Sequence, residues 1–401
     1  MPSKYRNFRN SVPWLIFFLE VVFIILFYFL FSDGDTSGSK ISYPAFQDVN
    51  QMMIFGLGFF LAFLKRYGFS SVGFNLLIIV LGVQWSVLTE AVFQSTKEDD
   101  LTSITKAAVS MTAVVISSSA VLGKANPIQL IVMTVVEITA FRLSRWINTT
   151  FLKVGDSASM MHVHLFGAFF GLAVSLCFSK PSPNSEKEAS TQKSDLLSIL
   201  GTLFLWVFWP SFNSVLAVEK KNTIIYNTYF ALAVSAVTAF ALSVLTTKDG
   251  KLRMTDICNA TLAGGVAVGY TAHSIPYPWI AMILGLLASV ITILGSHRLQ
   301  RCLNPVPKVH DGVYYTFGLP GVLGALAHVI LLVIKSWTDL PSQAYLIMID
   351  FSTFCLTISV ALMSGFITGP ILNLNLLKTV PVSKYYEDQF YWEFPHLAVG
   401  F

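Results

Sequence analysis

His162 and His164 stand inside a long apolar run. Two positions apart on a helix they cannot face the same way, so at most one of them lines a given lumen. An imidazole set in hydrocarbon can take a proton from a small amine at one ring nitrogen and pass one on from the other. The plain alternative is a histidine hydrogen-bonded between packed helices. Glu20, Glu90, Glu137 and Asp350 also fall within apolar runs, where an unpaired carboxylate is costly enough to demand a partner or a cavity. Each reads either as a proton relay or as a carboxyl hydrogen-bonded at a helix contact. Asp156 differs because it opens its run, where a carboxylate can cap the helix or orient a cation near a mouth.

The run from Gly201 to Ser214 gathers Phe204, Trp206, Phe208, Trp209 and Phe212 and closes on Pro210, Asn213 and Ser214. Rings at a pore entrance attract cations and can gate it; an interfacial aromatic belt would have the same composition. The glycine-rich Ala263-Gly-Gly-Val-Ala-Val-Gly269 lies inside an apolar run rather than between a strand and a helix, so close helix packing explains it better than a phosphate loop. Cys177, Cys258, Cys302 and Cys355 are far apart, with no Cys-x-x-Cys pair, which argues against a metal or disulfide framework. No nucleophile or carboxylate pair with a shared face suggests an enzyme, and no cofactor is expected.

The elements that must hold these residues follow from composition. The chain has 401 residues, of which 54% are hydrophobic and 12% charged, and a mean hydropathy of +0.65. Such a composition excludes an ordinary soluble enzyme. The net charge is +4, but the 26 Lys and Arg residues are scattered between apolar runs, as topology signals are, rather than gathered for nucleic acid. The first run, Val12 to Phe31, follows Lys4, Arg6 and Arg9 and lacks a small-residue cleavage site, so it reads as a retained span. Spans are expected at 12–32, 49–64, 72–94, 104–122, 128–146, 157–178, 195–217, 223–245, 255–273, 277–296, 312–335 and 345–374.

The expected fold is therefore an all-α polytopic membrane protein of twelve transmembrane helices. It divides into an N-terminal segment 1–11, a transmembrane domain 12–376 and a C-terminal tail 377–401. With the amino terminus inside, the two tails and even-numbered loops hold 17 of the basic residues and the odd-numbered loops and their flanks hold 9. That asymmetry places both termini in the cytoplasm. The segments His164-Leu-Phe-Gly-Ala-Phe-Phe-Gly171 and Phe317-Gly-Leu-Pro-Gly-Val-Leu-Gly324 share small residues at helix-packing spacing. They would be counterparts if spans two to six and seven to eleven are five-helix halves of opposite orientation.

Several longer pieces resemble one family over almost the whole chain. They are Tyr43-Pro-Ala-Phe-Gln-Asp-Val49, Arg66-Tyr-Gly-Phe-Ser-Ser-Val-Gly-Phe-Asn75, Gly82-Val-Gln-Trp85, Val121-Leu-Gly-Lys124, Phe208-Trp-Pro-Ser-Phe-Asn-Ser214 and the glycine-rich 263–269 run. All are similar to pieces of the ammonium transporter/Rh family. The ending Phe394-Pro-His-Leu-Ala-Val-Gly-Phe401 resembles its Rh blood group branch of the D and CE type.

The resemblance implies a trimer of twelve-helix subunits, each with a central hydrophobic pore between two inverted halves. In pore-active relatives two histidines share the pore and aromatic rings guard its outer mouth. By motif the first histidine is His164 and its acidic neighbour Asp156, while the second histidine position is occupied by Phe317 in Gly312-Val-Tyr-Tyr-Thr-Phe-Gly-Leu-Pro-Gly321. One gate ring is Phe212, and the other gate position, just before Val-Leu-Gly-Lys, falls on Ser118. An imidazole without its partner and a bulky ring in the partner's place imply an impaired pore. The resemblance therefore implies a subunit of a red-cell plasma-membrane complex with the Rh-associated glycoprotein, reaching the spectrin skeleton through ankyrin. The competing reading is a self-sufficient channel for ammonia, ammonium or carbon dioxide that uses His164.

The tail carries Tyr385-Tyr-Glu-Asp-Gln-Phe-Tyr-Trp392. Such aromatic density is poor material for a solvated tail. Tyr386, Glu387 and Asp388 are expected to dock, either on the chain's own loops or, by the resemblance, on ankyrin. The competing reading is an anchor at the membrane interface.

Overall fold

The computed structural model describes residues 6–31, 39, 41–93, 98–179, 189–247, 249–299, 313–337 and 340–394. The first residues of the N-terminal segment, most of the 297–311 linker with Cys302 and Gly312, most of the 179–194 linker, and 395–401 of the terminal motif lie outside the described residues. Among those described, nine helices are long and apolar enough to cross a membrane. The other three expected spans are also present, shorter or broken. The second runs through Tyr43–Gln51, a π-helical stretch Met52–Leu57 and Gly58–Phe60. The sixth is split into Asp156–Met160 and Val163–Ser175, and the ninth is the 15-residue Met254–Val268. The chain is thus a multi-pass all-helical membrane protein with helical segments at all twelve expected places.

Local sequence sets the helix ends. Asn126 and Gln129 form a reciprocal capping box ahead of the fifth span, Pro127–Thr150, with Pro127 in its first turn, where no N–H is needed. Thr191 and Ser194 do the same for the seventh, Gln192–Ser214. Asp99 accepts the Thr102 N–H at 3.0 Å and caps the fourth, Asp100–Ala120.

The fourth span is buried without interruption from Thr105 to Ala120. It packs on the third, fifth and sixth spans, and the ninth packs correspondingly on the eighth, tenth and eleventh, so each five-helix half repeats the other's neighbours. The small residues explain the closeness. A Cβ on Gly171 would lie 2.7 Å from the Ser117 backbone of the fourth span, and one on Gly324 would lie 2.1 Å from the Ala267 carbonyl of the ninth. Gly171 and Gly324 each stand seven residues beyond His164 and Phe317, so the two segments share one register. The inverted-half construction read from them is the one the molecule has.

Buried polar groups are matched across helices. Gln84 of the third span donates to Glu20 of the first at 3.2 Å. Glu137 of the fifth is buried and bonded to Ser117 of the fourth, which favours the reading of a carboxyl at a helix contact.

Candidate pore

His164 is the second residue of Val163–Ser175, placed there by the helix break at Met161 and His162. Phe317 is carried by a π-helical stretch, Tyr314–Gly318, which opens the eleventh span. Both central residues therefore sit at local departures from α-helical geometry, which re-aim side chains that a regular helix would direct elsewhere. The His164 and Phe317 rings lie parallel within 6°, with centroids 6.1 Å apart. Trp209 stacks on the imidazole at 5.5 Å, and Phe212 meets it edge-on at 5.6 Å. Phe60 stands edge-on to Phe317 at 6.3 Å. All five rings are buried, and the His164 Nε2 has no hydrogen-bond partner.

A cavity of about 310 Å³ opens above this stack, lined by Ser157, Met161, Asn213, Glu219, Tyr270 and His273 among others. Asn213, which follows Phe212, is fixed by donating to the Gly265 carbonyl and to Thr228, each at 3.2 Å. The cavity wall is mostly apolar, with Ser157, Asn213, Glu219, Lys220 and His273 as its polar points, and aromatic faces enclose the imidazole next to it. Such an arrangement can attract a small hydrated solute, strip its water and present a neutral ring nitrogen, but it offers a second ring nitrogen no place opposite His164.

Asp156 is elsewhere. It bonds Lys106 at 2.7 Å and also Arg145, while Arg142 and Arg145 hold Glu90 at 3.0 and 3.1 Å and Lys106 also reaches Glu98. Three cations and three carboxylates tie the third to sixth spans together. Asp156 is an anchor of this network, and its oxygens are taken by protein cations rather than offered to a solute. Asn148, the first residue of a glycosylation sequon, is buried and donates to Ser159 at 3.1 Å.

Ser118 corrects the sequence reading. It lies near the last turn of the fourth span, its hydroxyl donating to Val115 at 2.9 Å, and it lines a small cavity with Tyr67, Asn75 and Gly123. Phe212 lies near the last turn of the seventh span, at the opposite end of the bundle, so the two cannot form one gate. The stretch of the fourth span beside the His164 turn is Ser110 to Ala113, where Ser110 approaches Met160 and Ala113 abuts Gly167. Helix rise, about 1.5 Å per residue, is the signal that would have excluded Ser118, since eighteen residues from Asp100 span about 27 Å.

The tail docks on the chain itself at the Ser118 end. Tyr386 donates its N–H to the Gly123 carbonyl at 2.9 Å, and its ring occupies the space a Gly123 Cβ would need. Asp388 accepts the N–H groups of Phe69 and Ser70 at 3.0 and 2.7 Å, and Trp392 donates to Ser70 at 3.0 Å. Tyr386 and Asp388 are 1% and 8% exposed, so the expectation that they offer an ankyrin contact is corrected: they face the body of the chain. Glu387 is half-buried beside them.

A bundle of membrane-crossing helices in two inverted halves, with broken helices converging on a buried histidine, defines a multi-pass membrane protein of inverted-repeat construction. The family model described as Ammonium Transporter Family matches residues 12–393, and the chain belongs to that family. It is 42% identical to an RH-like protein of Macaca mulatta and 41% identical to the Blood group Rh(D) polypeptide of Homo sapiens, with 100% of both chains covered in each case. The Rh50 protein of Nitrosomonas europaea, of the Rhesus protein family of channels, superposes with a TM-score of 0.77 at 29% identity, covering 89% of this chain and 93% of that one. A sensor Amt protein shares the fold at 18% identity and a TM-score of 0.69.

Proposed function

We propose that this Rh-type membrane protein serves chiefly as a subunit of an oligomeric plasma-membrane complex of the red-cell type, with its own pore impaired. The observation that supports this reading is the Phe317 ring lying parallel to His164, where a second pore histidine is expected. A phenyl there neither shares a proton with the imidazole nor leaves the space an imidazole would. The complex would be a trimer, alone or with the Rh-associated glycoprotein, with both termini cytoplasmic. Any anchoring to ankyrin and spectrin would then use surfaces other than Tyr386 and Asp388.

A second reading, a self-sufficient channel for neutral ammonia or carbon dioxide, is favoured by the retained His164 and the cavity of about 310 Å³ beside it. Uptake of methylammonium and of ammonia into proteoliposomes separates the two readings, comparing the native chain, Phe317→His and His164→Ala. The impaired-pore reading expects weak native uptake that Phe317→His raises. Robust native uptake that His164→Ala abolishes would establish the second reading instead.

A further inference from the structure

Beside the cavity, and apart from His164, lies a second group of imidazoles. Tyr270 stands at its centre, with ring centroids 4.8 Å from His162, 4.7 Å from His328, 4.9 Å from Phe354 and 6.0 Å from His273. His273 lines the cavity and lies 5.5 Å, centroid to centroid, from His328. His328 presents Nε2 to the Asp350 carboxylate at 3.7 Å, and the Tyr270 hydroxyl donates to the other oxygen of that carboxylate at 3.4 Å. Four stretches of chain meet here: the sixth span, the turn after the ninth, and the eleventh and twelfth spans.

Hydrogen bonding assigns the ring protons. Thr357 gives its one hydroxyl hydrogen to the Thr353 carbonyl at 2.8 Å, so it must accept from His162 Nδ1 at 3.0 Å. His273 Nδ1 likewise donates to the Tyr270 carbonyl at 2.8 Å. The Nε2 atoms of His162 and His273 are then lone-pair acceptors. His162 Nε2 and His328 Nδ1 are buried without partners, an expensive condition in a membrane interior. Charge is unbalanced as well. The network around Asp156 pairs three cations with three carboxylates, whereas Asp350, 20% exposed at its side chain, meets imidazole and phenol groups but no Lys or Arg among the described residues. One added proton would make the group neutral and turn the His328–Asp350 contact into a true ion pair.

We propose that His328 and Asp350 form a proton-binding site off the pore axis, loaded from the cavity through His273. A proton from cavity water joins His273 Nε2 and reaches His328 Nδ1 when the two rings, whose centroids stand 5.5 Å apart, close to hydrogen-bond distance, leaving His273 neutral and His328 an imidazolium against the Asp350 carboxylate. Only N–H bonds form and break, and the site holds one proton per chain.

The test is nitrogen NMR of the full chain, histidine-labelled and held in lipid nanodiscs, from pH 5 to pH 8, with the His328 signal assigned by its loss in His328→Gln. A protonated His328 signal is expected to grow in as the pH falls. In Asp350→Asn its midpoint should fall by about one unit or more, as loss of an adjacent opposite charge requires, and in Asp350→Glu it should be restored. A His328 that stays neutral down to pH 5 in the native chain overturns the proposal, as does a midpoint unmoved by Asp350→Asn. With the signal so assigned, the native measurement decides the matter even if an Asp350 variant fails to fold.

Discussion

Asp388 accepts the Ser70 N–H at 2.7 Å across 318 residues of sequence, so the C-terminal tail supplies the cap of the third span, Gly68–Phe93. The orphan donors of that helix start have no local Ser, Thr, Asp or Asn at the position just before it, which Tyr67 occupies. Asp388→Ala should therefore release the tail and fray the first turn of the third span, at a cost of about 1 kcal/mol or somewhat more. Hydrogen exchange should show faster exchange at Phe69 and Ser70 and across 385–392. Unchanged protection in both places would remove the capping role.

Much of this architecture was legible because apolar runs and glycine spacing are local properties. The Gly171 and Gly324 register is an example, since seven residues beyond His164 and beyond Phe317 the same small residue recurs. The break at Met161–His162 was not legible, because it has no proline and Thr357 of the twelfth span takes the His162 ring, whereas the π-helical stretch holding Phe317 has a local signal in Pro320, which has no N–H to offer the Thr316 carbonyl. His328 and Asp350 were equally out of reach of spacing rules: the cluster they share with His162, Tyr270 and His273 draws on four separated stretches. The aromatic tail reads as needing a surface, but a single sequence does not say that Gly123 and Ser70 provide it.

Gly123 is required for that docking on two grounds. Its φ of +74° lies in the left-handed region, and an added Cβ would fall 2.3 Å from the Tyr386 ring. Gly123→Ala should cost about 1–2 kcal/mol from the backbone alone and also displace Tyr386. Limited proteolysis should then cut the tail before any transmembrane segment is lost. A tail as resistant as the native one would contradict the packing described.

Arg145 lies between Glu90 and Asp156 and is 2% exposed at its side chain. Arg145→Met keeps the bulk and removes the charge, leaving two carboxylates short of a partner in the interior. Loss of about 3–5 kcal/mol is expected, the usual cost of breaking a buried pair from one side. Thermal unfolding in detergent should show a markedly lower midpoint, and Arg145→Met/Glu90→Gln should recover part of it. A double variant no better than the single one would mean that the Arg145 stem, not its charge, carries the stability.

On the proposed reading Phe317 impairs the path in two separable ways, by filling space and by failing to share a proton, and substitutions can divide them. Phe317→Leu removes ring volume beside His164 without adding a nitrogen, whereas Phe317→His does both. If bulk is the main barrier, the two variants raise neutral ammonia flux alike, by about tenfold for each 1.4 kcal/mol of barrier removed. If the missing imidazole dominates, only Phe317→His raises uptake, and the added His164→Ala change cancels the gain. The geometry favours the first outcome for neutral gases, because Phe317 is packed between His164 and Phe60 with no polar group needed for a neutral solute to slip past. Stopped-flow measurement of internal pH in proteoliposomes reads both variants directly. A Phe317→Leu rate equal to that of the native chain, beside a raised Phe317→His rate, would assign the barrier to the absent nitrogen.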